Sequence, residues 1–522
     1  MMALSTLLWN VGMNPKSVSL TELLPDAQFE PHQSVSFTHV SCDSRKIQPG
    51  SVFAAIGGSE QDGHDYVDAA VAAGAVAVVS ERPLQGLPVP QVIVPSSARA
   101  FGQLCQAIHG NPAQQLNIAG ITGTNGKSTT AWLLRNILQV AGYRSGLLGT
   151  IQYSDGHNDY KPRLTTPDAD LQSQLMAAMV RNGARHCVME ISSHALHQQR
   201  CGGVELAAGL ITNITHDHLD YHRSAAEYRS AKSLIADLLH CDAPLLLNAD
   251  DSGVRRLVSE GVLSCRTILF GESEEAELRA TVLRQTHRSQ RIRLSLAQGD
   301  ADVRVRLIGR HNASNCLAAA GMAEQLGIGL REIVAGLVGT SGVPGRLERV
   351  DEGQPFQVYV DYAHTPDALR HCLQTVRSFT HGNLICVFGA GGDRDRQKRP
   401  GMAQAASVAD RVFLTSDNPR SESPEEIIAD ILRGFSSGRH VDVDTDRREA
   451  IRRALETAQP GDAVVVAGKG HEQCQVIGME SQFFDDRLVV REILRKMNWS
   501  LTDMTARFPS APVMSGLMAY PA

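Results

Sequence analysis

Residues 118–130 read Ile-Ala-Gly-Ile-Thr-Gly-Thr-Asn-Gly-Lys-Ser-Thr-Thr, which is the composition of a phosphate-binding loop. Gly123 and Gly126 let the backbone close around an anion without Cβ clashes, and the N–H groups of the following helix point at the ligand. Lys127 can reach the outer phosphates, and the Ser128 hydroxyl can ligate Mg²⁺. A tight turn before a helix is the alternative, but Gly-Lys-Ser between an apolar run and a helical pattern favours a nucleoside triphosphate site.

Carboxylate and imidazole groups follow two other apolar runs in the same region. Glu190 and His218 could meet the P-loop hydroxyl around Mg²⁺ at adjacent strand ends, although an imidazole is a less typical ligand for that ion. A zinc site built from His216, His218 and His222 is the rival interpretation, without the helical His-x-x-x-His spacing of many zinc sites. A third possibility is that these histidines only form hydrogen bonds near a surface loop.

Four polar clusters in the last third of the chain each follow an apolar run. They are Asp361–Pro366, Gly389–Arg399, Asp417–Arg420 and Gly468–Glu472. Arginines can bind a carboxylate through two hydrogen bonds, and Glu472 could hold an ammonium group. The ligand that this chemistry describes is zwitterionic, like an amino acid. A surface network of ion pairs would fit any single cluster, but four clusters at strand ends favour a binding site.

Short β-branched runs alternate with amphipathic stretches through most of the chain, which predicts parallel α/β sheets. The predicted strands are Val76–Val79, Gln91–Val94, Asn117–Ile121, His186–Met189, Gly209–Thr212, Gln357–Val360, Leu384–Phe388, Arg411–Thr415 and Ala463–Ala467. Ligands of such sheets bind just beyond the carboxyl ends of the strands, where the polar segments lie. Alternation over residues 274–306 predicts antiparallel hairpins inside the middle domain.

The length of 522 residues is too great for one core and predicts about three domains. Asn111-Pro112 and the segment Gly339–Arg346 are the expected linkers. The predicted limits are 1–111, 112–342 and 343–498, followed by a loosely ordered tail at 499–522.

Composition excludes several classes of function. The net charge of −6 provides no basic surface for nucleic acid or an anionic membrane. Ten scattered cysteines without a Cys-x-x-Cys pair suit a reducing cytoplasm. The longest small apolar run, Ala69–Val79, is too short to span a bilayer, and the N-terminus lacks a signal-peptide pattern. We therefore expect a cytoplasmic protein without membrane insertion, and a monomer, because no coiled-coil pattern is present.

The motifs together resemble those of the Mur ligase family over about residues 43–491. The matching segments are Asp43–Arg45, Gly123–Ser128, Thr165–Pro167, Glu190–His194, Asp217–His222, Gly309–Asn315, Gly345-Arg346, Asp361–Pro366, Asp417–Arg420 and Gly468–Glu472. The resemblance implies an α/β protein with a UDP-binding N-terminal domain, a central P-loop ATPase domain and a Rossmann-like C-terminal domain. It also implies a reaction in which ATP phosphorylates the D-Glu carboxylate of UDP-MurNAc-L-Ala-D-Glu and an amino acid's amine attacks the acyl phosphate.

Site residues follow from the same resemblance. ATP is expected to contact Gly123, Thr124, Asn125, Gly126, Lys127, Ser128, Thr129, Asn312, Arg346, Asp361 and His364. The UDP-MurNAc-dipeptide is expected to contact Cys42, Ser44, Thr165, Thr166, Ser192, Gln198 and Arg200. The implied catalytic residues are Lys127, Glu190, His218 and Lys232, and the implied Mg²⁺ ligands are Ser128, Glu190, His218 and Lys232. Lys232 matches a lysine that family members carbamylate, which would turn a cation into an oxygen ligand.

The sequence Asp417-Asn418-Pro419-Arg420 marks the members of this family that add meso-diaminopimelate rather than lysine. Diaminopimelate carries a second carboxylate, for which Arg420 is a bidentate partner. The implied pocket consists of Arg394, Asp417, Asn418, Pro419, Arg420, Gly468 and Glu472. The rivals on the same scaffold are a lysine-adding ligase, the enzyme that adds D-Ala-D-Ala, and a folylpolyglutamate synthase. A P-loop regulatory switch is the rival from another class, and it would not need a zwitterion-shaped cluster.

Overall fold

The computed structural model describes residues 18–25, 27–30, 35–58, 61–215, 217–218 and 221–497. These residues form three α/β units, each with its own sheet and apolar core. The predicted tail at 499–522 lies outside the described residues. The predicted domain limits stay predictions, and the three sheets lie within them.

The N-terminal unit contains a five-stranded sheet in the order β2-β7-β6-β5-β4, parallel except for β2, and a separate antiparallel pair of β1 and β3. Its strands are β1 Val18–Ser19, β2 Gln28–Glu30, β3 Ser36–Phe37, β4 His39–Ser41, β5 Ser51–Ala54, β6 Ala75–Ser80 and β7 Gln91–Ile93. Its helices are α1 Leu20–Leu23, α2 Val67–Ala72 and α3 Ser97–Ile108. The predicted strands at 76–79 and 91–94 correspond to β6 and β7.

The central unit contains an eleven-stranded sheet in the order β11-β10-β9-β12-β8-β13-β14-β15-β16-β17-β18. Its strands are β8 Asn117–Thr122, β9 Ser145–Leu148, β10 Tyr153–Ser154, β11 Asp159–Tyr160, β12 His186–Glu190, β13 Ala208–Ile211, β14 Leu245–Asn248, β15 Thr267–Gly271, β16 Leu278–Gln285, β17 Gln290–Leu296 and β18 Gly299–Val305. Its helices are α4 Lys127–Val140, α5 Ala169–Arg181, α6 Ser193–His197, α7 Ala225–Ser233, α8 Ser252–Ser259, α9 Arg310–Gln325 and α10 Leu330–Gly339. The antiparallel strands β16, β17 and β18 confirm the hairpins predicted at 274–306.

The C-terminal unit is a six-stranded sheet in the order β19-β20-β24-β21-β22-β23, with a separate hairpin β25–β26. Its strands are β19 Glu348–Arg349, β20 Gln357–Asp361, β21 Leu384–Phe388, β22 Arg411–Leu414, β23 Asp442–Val443, β24 Ala463–Ala467, β25 Cys474–Ile477 and β26 Glu480–Phe483. Its helices are α11 Pro366–Arg377, α12 Lys398–Ala406, α13 Pro424–Leu432, α14 Arg447–Thr457 and α15 Asp486–Lys496.

The order of strands places the polar segments together in both larger sheets. The four strands predicted in the last third are the neighbours β20-β24-β21-β22, and all four are parallel. In the central sheet, the P-loop strand β8 lies between β12 and β13, whose carboxyl ends lead to Glu190 and to residue 212 onward. Parallel neighbours end at one edge, so each sheet gathers its polar segments at one site.

Among the described residues, no helix has the length and apolar character needed to cross a membrane.

Candidate active site

The P-loop is a sharp turn between β8 and α4. Gly123 and Gly126 have φ angles of +145° and +88°, which L side chains rarely adopt. A Cβ on Gly123 would lie 1.8 Å from the Thr212 hydroxyl. Gly126 is the N-cap of α4 and provides no side chain to cap the helix, so the first N–H groups of α4 remain available for an anion.

Lys127 folds back over this loop. Its ammonium donates to the Gly123 carbonyl at 2.6 Å and to the Thr124 carbonyl at 2.9 Å. Burial lowers the pKa of Lys127, although Glu190 and Asp217 oppose that effect. A cation held over the turn is placed to meet phosphate oxygens.

Ser128 and Glu190 form the polar centre next to the loop. The Ser128 hydroxyl donates to Glu190 Oε2 at 2.8 Å. Thr150 donates to the same carboxylate through its backbone N–H at 2.9 Å and its hydroxyl at 3.0 Å. Glu190 is only 1% exposed. An anionic carboxylate and a hydroxyl in contact at a strand end are the oxygen donors that Mg²⁺ prefers.

Lys232 lies buried near this centre, and the charge of Asp217 only partly offsets the effect of burial on its pKa. It is 1% exposed, and its Nζ lies 4.5 Å from the centroid of the Tyr228 ring. In the part of the chain that the structure describes, no carboxylate forms an ion pair with it. Burial lowers the pKa of Lys232 well below its usual value, and the charge of Lys127 lowers it further. Tyr228 connects this lysine to the loop, because its hydroxyl lies 3.0 Å from that of Thr124.

His218 lies on the same side of the P-loop as Tyr228 and Lys232. Its ring is 6.3 Å from the Tyr228 ring, its φ is +53°, and its Nε2 is 3.5 Å from Asp217 Oδ2. His222 is buried and its Nε2 lies 3.0 Å from the Ser193 hydroxyl. His216 lies outside the described residues, so the rival zinc site stays a hypothesis.

Around the P-loop, three hydrogen bonds between described residues join the C-terminal unit to the central unit, two at the loop itself and one at Thr150. Arg346 donates to the Ser128 hydroxyl at 3.1 Å, and Asn125 donates to Asp367 Oδ2 at 3.3 Å. His471 Nε2 lies 3.2 Å from the carbonyl oxygen of Thr150, the residue that holds Glu190. The two polar edges therefore face each other across one cleft.

Other residues predicted for the nucleotide line the same junction. Asn312 donates to the Ile308 carbonyl and accepts from Asn315, whose carboxamide oxygen would lie 2.5 Å from a Cβ on Gly126. Asp361 accepts the N–H groups of Leu347 and Ala363. Burial raises the pKa of Asp361, although Arg346 opposes that effect.

His364 also lies at this junction, where it is half-buried. Its Nδ1 lies 2.9 Å from the Tyr362 carbonyl, and burial lowers the pKa of its imidazole to about 4. Nearby Lys398 contributes to the lowering. The ring is therefore neutral at pH 7.

Most residues predicted for the dipeptide form a connected chain beside Glu190. Thr166 donates to the Glu190 carbonyl at 3.0 Å and accepts from the Ser192 N–H at 2.9 Å. Arg200 donates to Gln198 at 2.8 Å and to the Thr166 carbonyl at 3.4 Å. Thr165 accepts from the Thr150 hydroxyl at 3.1 Å.

Cys42 and Ser44, predicted for the uridine end, lie after β4 in the N-terminal unit. Within the described ranges, no hydrogen bond joins these two residues to the dipeptide group.

Two arginines predicted for the amino acid lie close together at the ends of β21 and β22. Arg420 donates to the Gly392 carbonyl at 2.6 Å, and Arg394 donates to the Asp393 carbonyl at 2.9 Å. Burial lowers the pKa of Arg420, and the neighbouring charge of Arg394 lowers it further. Arg420 has a φ of +53°, and β25 holds its backbone, because its N–H donates to the Val476 carbonyl at 3.0 Å. An anion placed between the two arginines would relieve their repulsion.

A carboxylate lies beside the arginine pair. Glu472 accepts from Asn418 at 2.9 Å and from Lys469 at 3.2 Å. Asp417 is also buried at this edge, and a Cβ on Gly468 would lie 2.5 Å from its Oδ2. Burial alone would raise the pKa of Asp417, but Lys469 and Arg447 outweigh it and hold that pKa below its usual value.

Three Mur ligase family profiles cover most of the described chain. They are the Mur ligase family catalytic domain over residues 36–109, the Mur ligase middle domain over 121–323, and the Mur ligase glutamate ligase domain over 345–470. A UDP-N-acetylmuramoyl-L-alanyl-D-glutamate–2,6-diaminopimelate ligase from Geobacillus kaustophilus is 42% identical over 463 residues, which is 87% of this chain and 94% of the relative. The chain belongs to the Mur ligase family. The relative of the same name from Thermosynechococcus vestitus is 40% identical over 92% of this chain and 98% of its own length.

Solved structures agree with this family. A UDP-N-acetylmuramoyl-L-alanyl-D-glutamate–2,6-diaminopimelate ligase superposes with a TM-score of 0.65 at 33% identity, over 92% of this chain and 99% of that one. A MurF ligase from Thermotoga maritima in complex with ADP has a TM-score of 0.57 at 19% identity, over 88% and 96%, and shows the shared fold alone. The predicted α/β class and three-domain Mur ligase architecture are thereby confirmed.

Two buried charged residues of this Mur ligase lie in the predicted polar clusters Gly389–Arg399 and Gly468–Glu472 but were assigned no role from the sequence. Lys469 is fully buried and donates to Asn418, Glu472 and the Cys474 carbonyl. Arg399 is fully buried and binds Glu422 and Asp430. Lysine and arginine are usually exposed, so only the resemblance of the flanking motifs could have pointed to them.

Proposed function

We propose that this Mur ligase adds meso-2,6-diaminopimelate to the D-Glu of UDP-MurNAc-L-Ala-D-Glu, with ATP as co-substrate, in peptidoglycan precursor synthesis. The observation that carries the proposal is the pairing of Arg394 and Arg420 beside Glu472, across a cleft from the P-loop. The names of relatives that are 37–42% identical support the same reaction.

The chemistry requires the two halves of the cleft to act in sequence. A carboxylate is inert to an amine until one oxygen becomes a good leaving group. Transfer of the γ-phosphoryl group from ATP to the D-Glu carboxylate forms an acyl phosphate and ADP. The amine of the amino acid then attacks the acyl carbon, an amide bond forms, and phosphate leaves. Lys127, Arg346 and the first N–H groups of α4 stabilise the charge that moves with the phosphoryl group.

Mg²⁺ fits the donor set at this site. Ser128 and Glu190 provide oxygen ligands that already lie in contact, and His218 lies on the same side of the loop. Bound Mg²⁺ would neutralise phosphate charge during the transfer. Thr150 holds the Glu190 carboxylate through two hydrogen bonds and so fixes the ligand's orientation.

Lys232 is proposed to act as a carbamate. Burial lowers the pKa of Lys232 and so favours the neutral amine, which can add CO₂ and release one proton to form an anionic oxygen ligand. No carboxylate among the described residues forms an ion pair with Lys232, so a carbamate there would not break an existing ion pair. Carbon-13 NMR with labelled bicarbonate should show a carbamate signal that is absent from Lys232→Ala.

The remaining roles follow the same scheme. Asn312, Asp361 and His364 line the nucleotide side, and the group around Thr166 and Arg200 holds the muramoyl dipeptide. Cys42 and Ser44 contact the uridine end through the N-terminal domain. The partners are small molecules, and we propose a cytoplasmic monomer.

The decisive experiment measures ATP-dependent phosphate release with UDP-MurNAc-L-Ala-D-Glu and either meso-diaminopimelate, L-lysine or no amino acid. Release only with diaminopimelate is expected. Arg420→Ala should lower kcat/KM for diaminopimelate at least 100-fold, because the second carboxylate loses its bidentate partner. The exposed Arg433→Ala in the same domain is the matched control. Equal release with lysine would overturn the specificity, and release without any acceptor would favour a P-loop switch.

A further inference from the structure

A cavity of about 890 Å³ lies at the hinge between the central and C-terminal domains. The central domain contributes Trp132 and the turn between β16 and β17, and the C-terminal domain contributes Tyr359 and Arg487. The volume is in the range of sites for small molecules and cofactors.

This cavity is separate from the P-loop. None of residues 123–128 lines it. Its wall includes every residue from 341 to 347 except Gly345, which packs against Gly470 and His471. Arg346 alone belongs to both places, since it lines the cavity and donates to Ser128.

The lining is strongly cationic. Its arginines are Arg288, Arg304, Arg306, Arg346, Arg349 and Arg487, and its carboxylates are Glu348 and Asp351. Arg349 pairs with Asp351 at 2.7 Å, and Arg487 lies 3.6 Å from Glu348. Both carboxylates are thus already engaged.

Three arginines of the cavity have no ion pair with any carboxylate in the described ranges. They are Arg288, Arg304 and Arg306, and the one polar side-chain contact among them joins Arg304 Nε to the Ser289 hydroxyl at 3.2 Å. His287, which also lines the cavity, responds to this charge. Burial lowers its pKa, and the positive charges of Arg349 and Arg288 lower it further.

Two buried donors in the lining also lack partners. The Nε atoms of Arg346 and Arg349 are buried and make no hydrogen bond. Buried N–H groups are nearly always satisfied, so each of these two arginines retains a donor that no described protein group accepts.

We propose that the hinge cavity binds a nucleoside polyphosphate, as a second nucleotide beside the one at the P-loop. The phosphates match the unpaired arginines. The base matches the apolar part of the lining, where Trp132 is half-buried and Leu307 and Tyr359 are buried. A ligand that touches both domains favours the interdomain arrangement it contacts, so this nucleotide would regulate closure of the cleft.

The test is isothermal titration calorimetry of the full chain with ADP and Mg²⁺. Wild type should bind two ADP molecules. The double variant Arg304→Glu with Arg306→Glu should keep ADP binding at the P-loop and lose at least 10-fold in ADP affinity at the hinge cavity. Both side chains are exposed and lie away from the P-loop, so the substitutions leave the P-loop site intact. The control Arg284→Glu with Arg331→Glu makes the same charge change at exposed positions outside the cavity and should bind two.

Several outcomes would overturn the proposal. One ADP per wild-type chain would do so, as would two ADP on the Arg304/Arg306 variant. Equal binding of pyrophosphate and ADP at the second site would replace the nucleotide by an inorganic anion. If thermal unfolding shows that the double variant is misfolded, Arg288→Glu in the exposed turn gives the same test. Phosphate release is not the readout, so the result is independent of the proposed ligase activity.

Discussion

Lys469 is the residue on which the proposed amino-acid pocket depends most. Its ammonium is buried and joins Asn418, which follows β22, to Glu472 and the Cys474 carbonyl, which follow β24. It therefore orients the carboxylate that is proposed to hold the distal ammonium of diaminopimelate.

Lys469→Met should raise KM for diaminopimelate more than KM for ATP, because the Glu472 carboxylate loses its orientation. The variant should also lose about 1–3 kcal/mol of stability, since buried acceptors are left unsatisfied. Steady-state kinetics and urea unfolding measure the two effects. Lys496→Met is the control, because its ion pair with Glu492 lies on the surface and contributes little. An equal rise of both KM values would contradict the positioning role.

The glycines at the two ends of helix α4 allow the effect of backbone strain to be compared with the effect of contact at the nucleotide site. Gly126 before the helix and Gly142 after it have nearly equal φ angles of +88° and +86°. A Cβ on Gly126 would lie 2.5 Å from Asn315, whereas a Cβ on Gly142 would meet open space.

Gly142→Ala should therefore cost about 1 kcal/mol through backbone strain and leave ATP affinity unchanged. Gly126→Ala should suffer the same strain and also lose at least 10-fold in ATP affinity, because the loop must move away from Asn315. Thermal unfolding and nucleotide titration compare the pair. Equal ATP affinities in the two variants would show that this part of the loop does not shape the nucleotide site.

Glu422 fastens the loop after β21 to the start of α13. It binds the buried Arg399 at 2.8 Å and Arg396 at 2.5 Å, and accepts from the Asp393 N–H at 2.7 Å. The hydrogen bond from Arg399 is the largest cause that lowers the pKa of Glu422 to about 2 from a usual value of 4.5. A lowered carboxyl pKa stabilises the fold above the unfolded pKa, and this contribution disappears as pH falls through the folded pKa.

Stability of the wild type should accordingly fall between about pH 4.5 and pH 2, with Glu422 accounting for about 1–2 kcal/mol after solvent screening. Glu422→Gln should remove that part of the acid dependence and be less stable at pH 7. Urea unfolding as a function of pH measures it. Glu480→Gln, on the exposed strand β26, should follow the wild-type curve. A Glu422→Gln curve parallel to wild type would contradict the assignment.

Over the whole molecule, the sequence predicted the parts of the fold that depend on local pattern. The strands around Val465 and Ile385 were predictable because fully buried parallel strands are short apolar runs, and their polar ends follow directly. The contacts that close the cleft were not predictable. Arg346 and Ser128 are 218 residues apart, and His471 and Thr150 are 321 apart, so no local periodicity encodes them.

The hinge cavity could not be predicted from the sequence, because its lining residues are also far apart in the chain. Arg288 and Arg304 belong to the antiparallel hairpins of β16–β18, whose alternating pattern indicates a solvent-exposed face. Arg487 lies in the first turn of α15, almost 200 residues later. Each one is an ordinary surface arginine by itself. Only the packing of the two domains places these charges around one volume.

The hydrogen bond between Asn125 and Asp367 provides a test of closure for the molecule as a whole. It joins the P-loop to the first turn of α11 at 3.3 Å. Asp367→Ala should lower kcat about 2–10-fold, because a single hydrogen bond contributes about 0.5–1.5 kcal/mol to the closed arrangement. KM for ATP should change less, since the P-loop itself is intact. Small-angle X-ray scattering with ADP should show a larger radius of gyration than for wild type.

Glu425→Ala is the matched control for this prediction. Glu425 follows Pro424 at the start of α13, just as Asp367 follows Pro366 at the start of α11, so both substitutions remove the same helix-terminal charge. Only Asp367 reaches the other domain. A loss of kcat in both variants would mean that the helix start, rather than the interdomain bond, is responsible. A loss of kcat confined to Asp367→Ala, together with the larger radius of gyration, would show that turnover depends on the closed cleft. Arg346 and His471 cross the same domain boundary, so opening of the cleft would separate them from Ser128 and Thr150 at the same time.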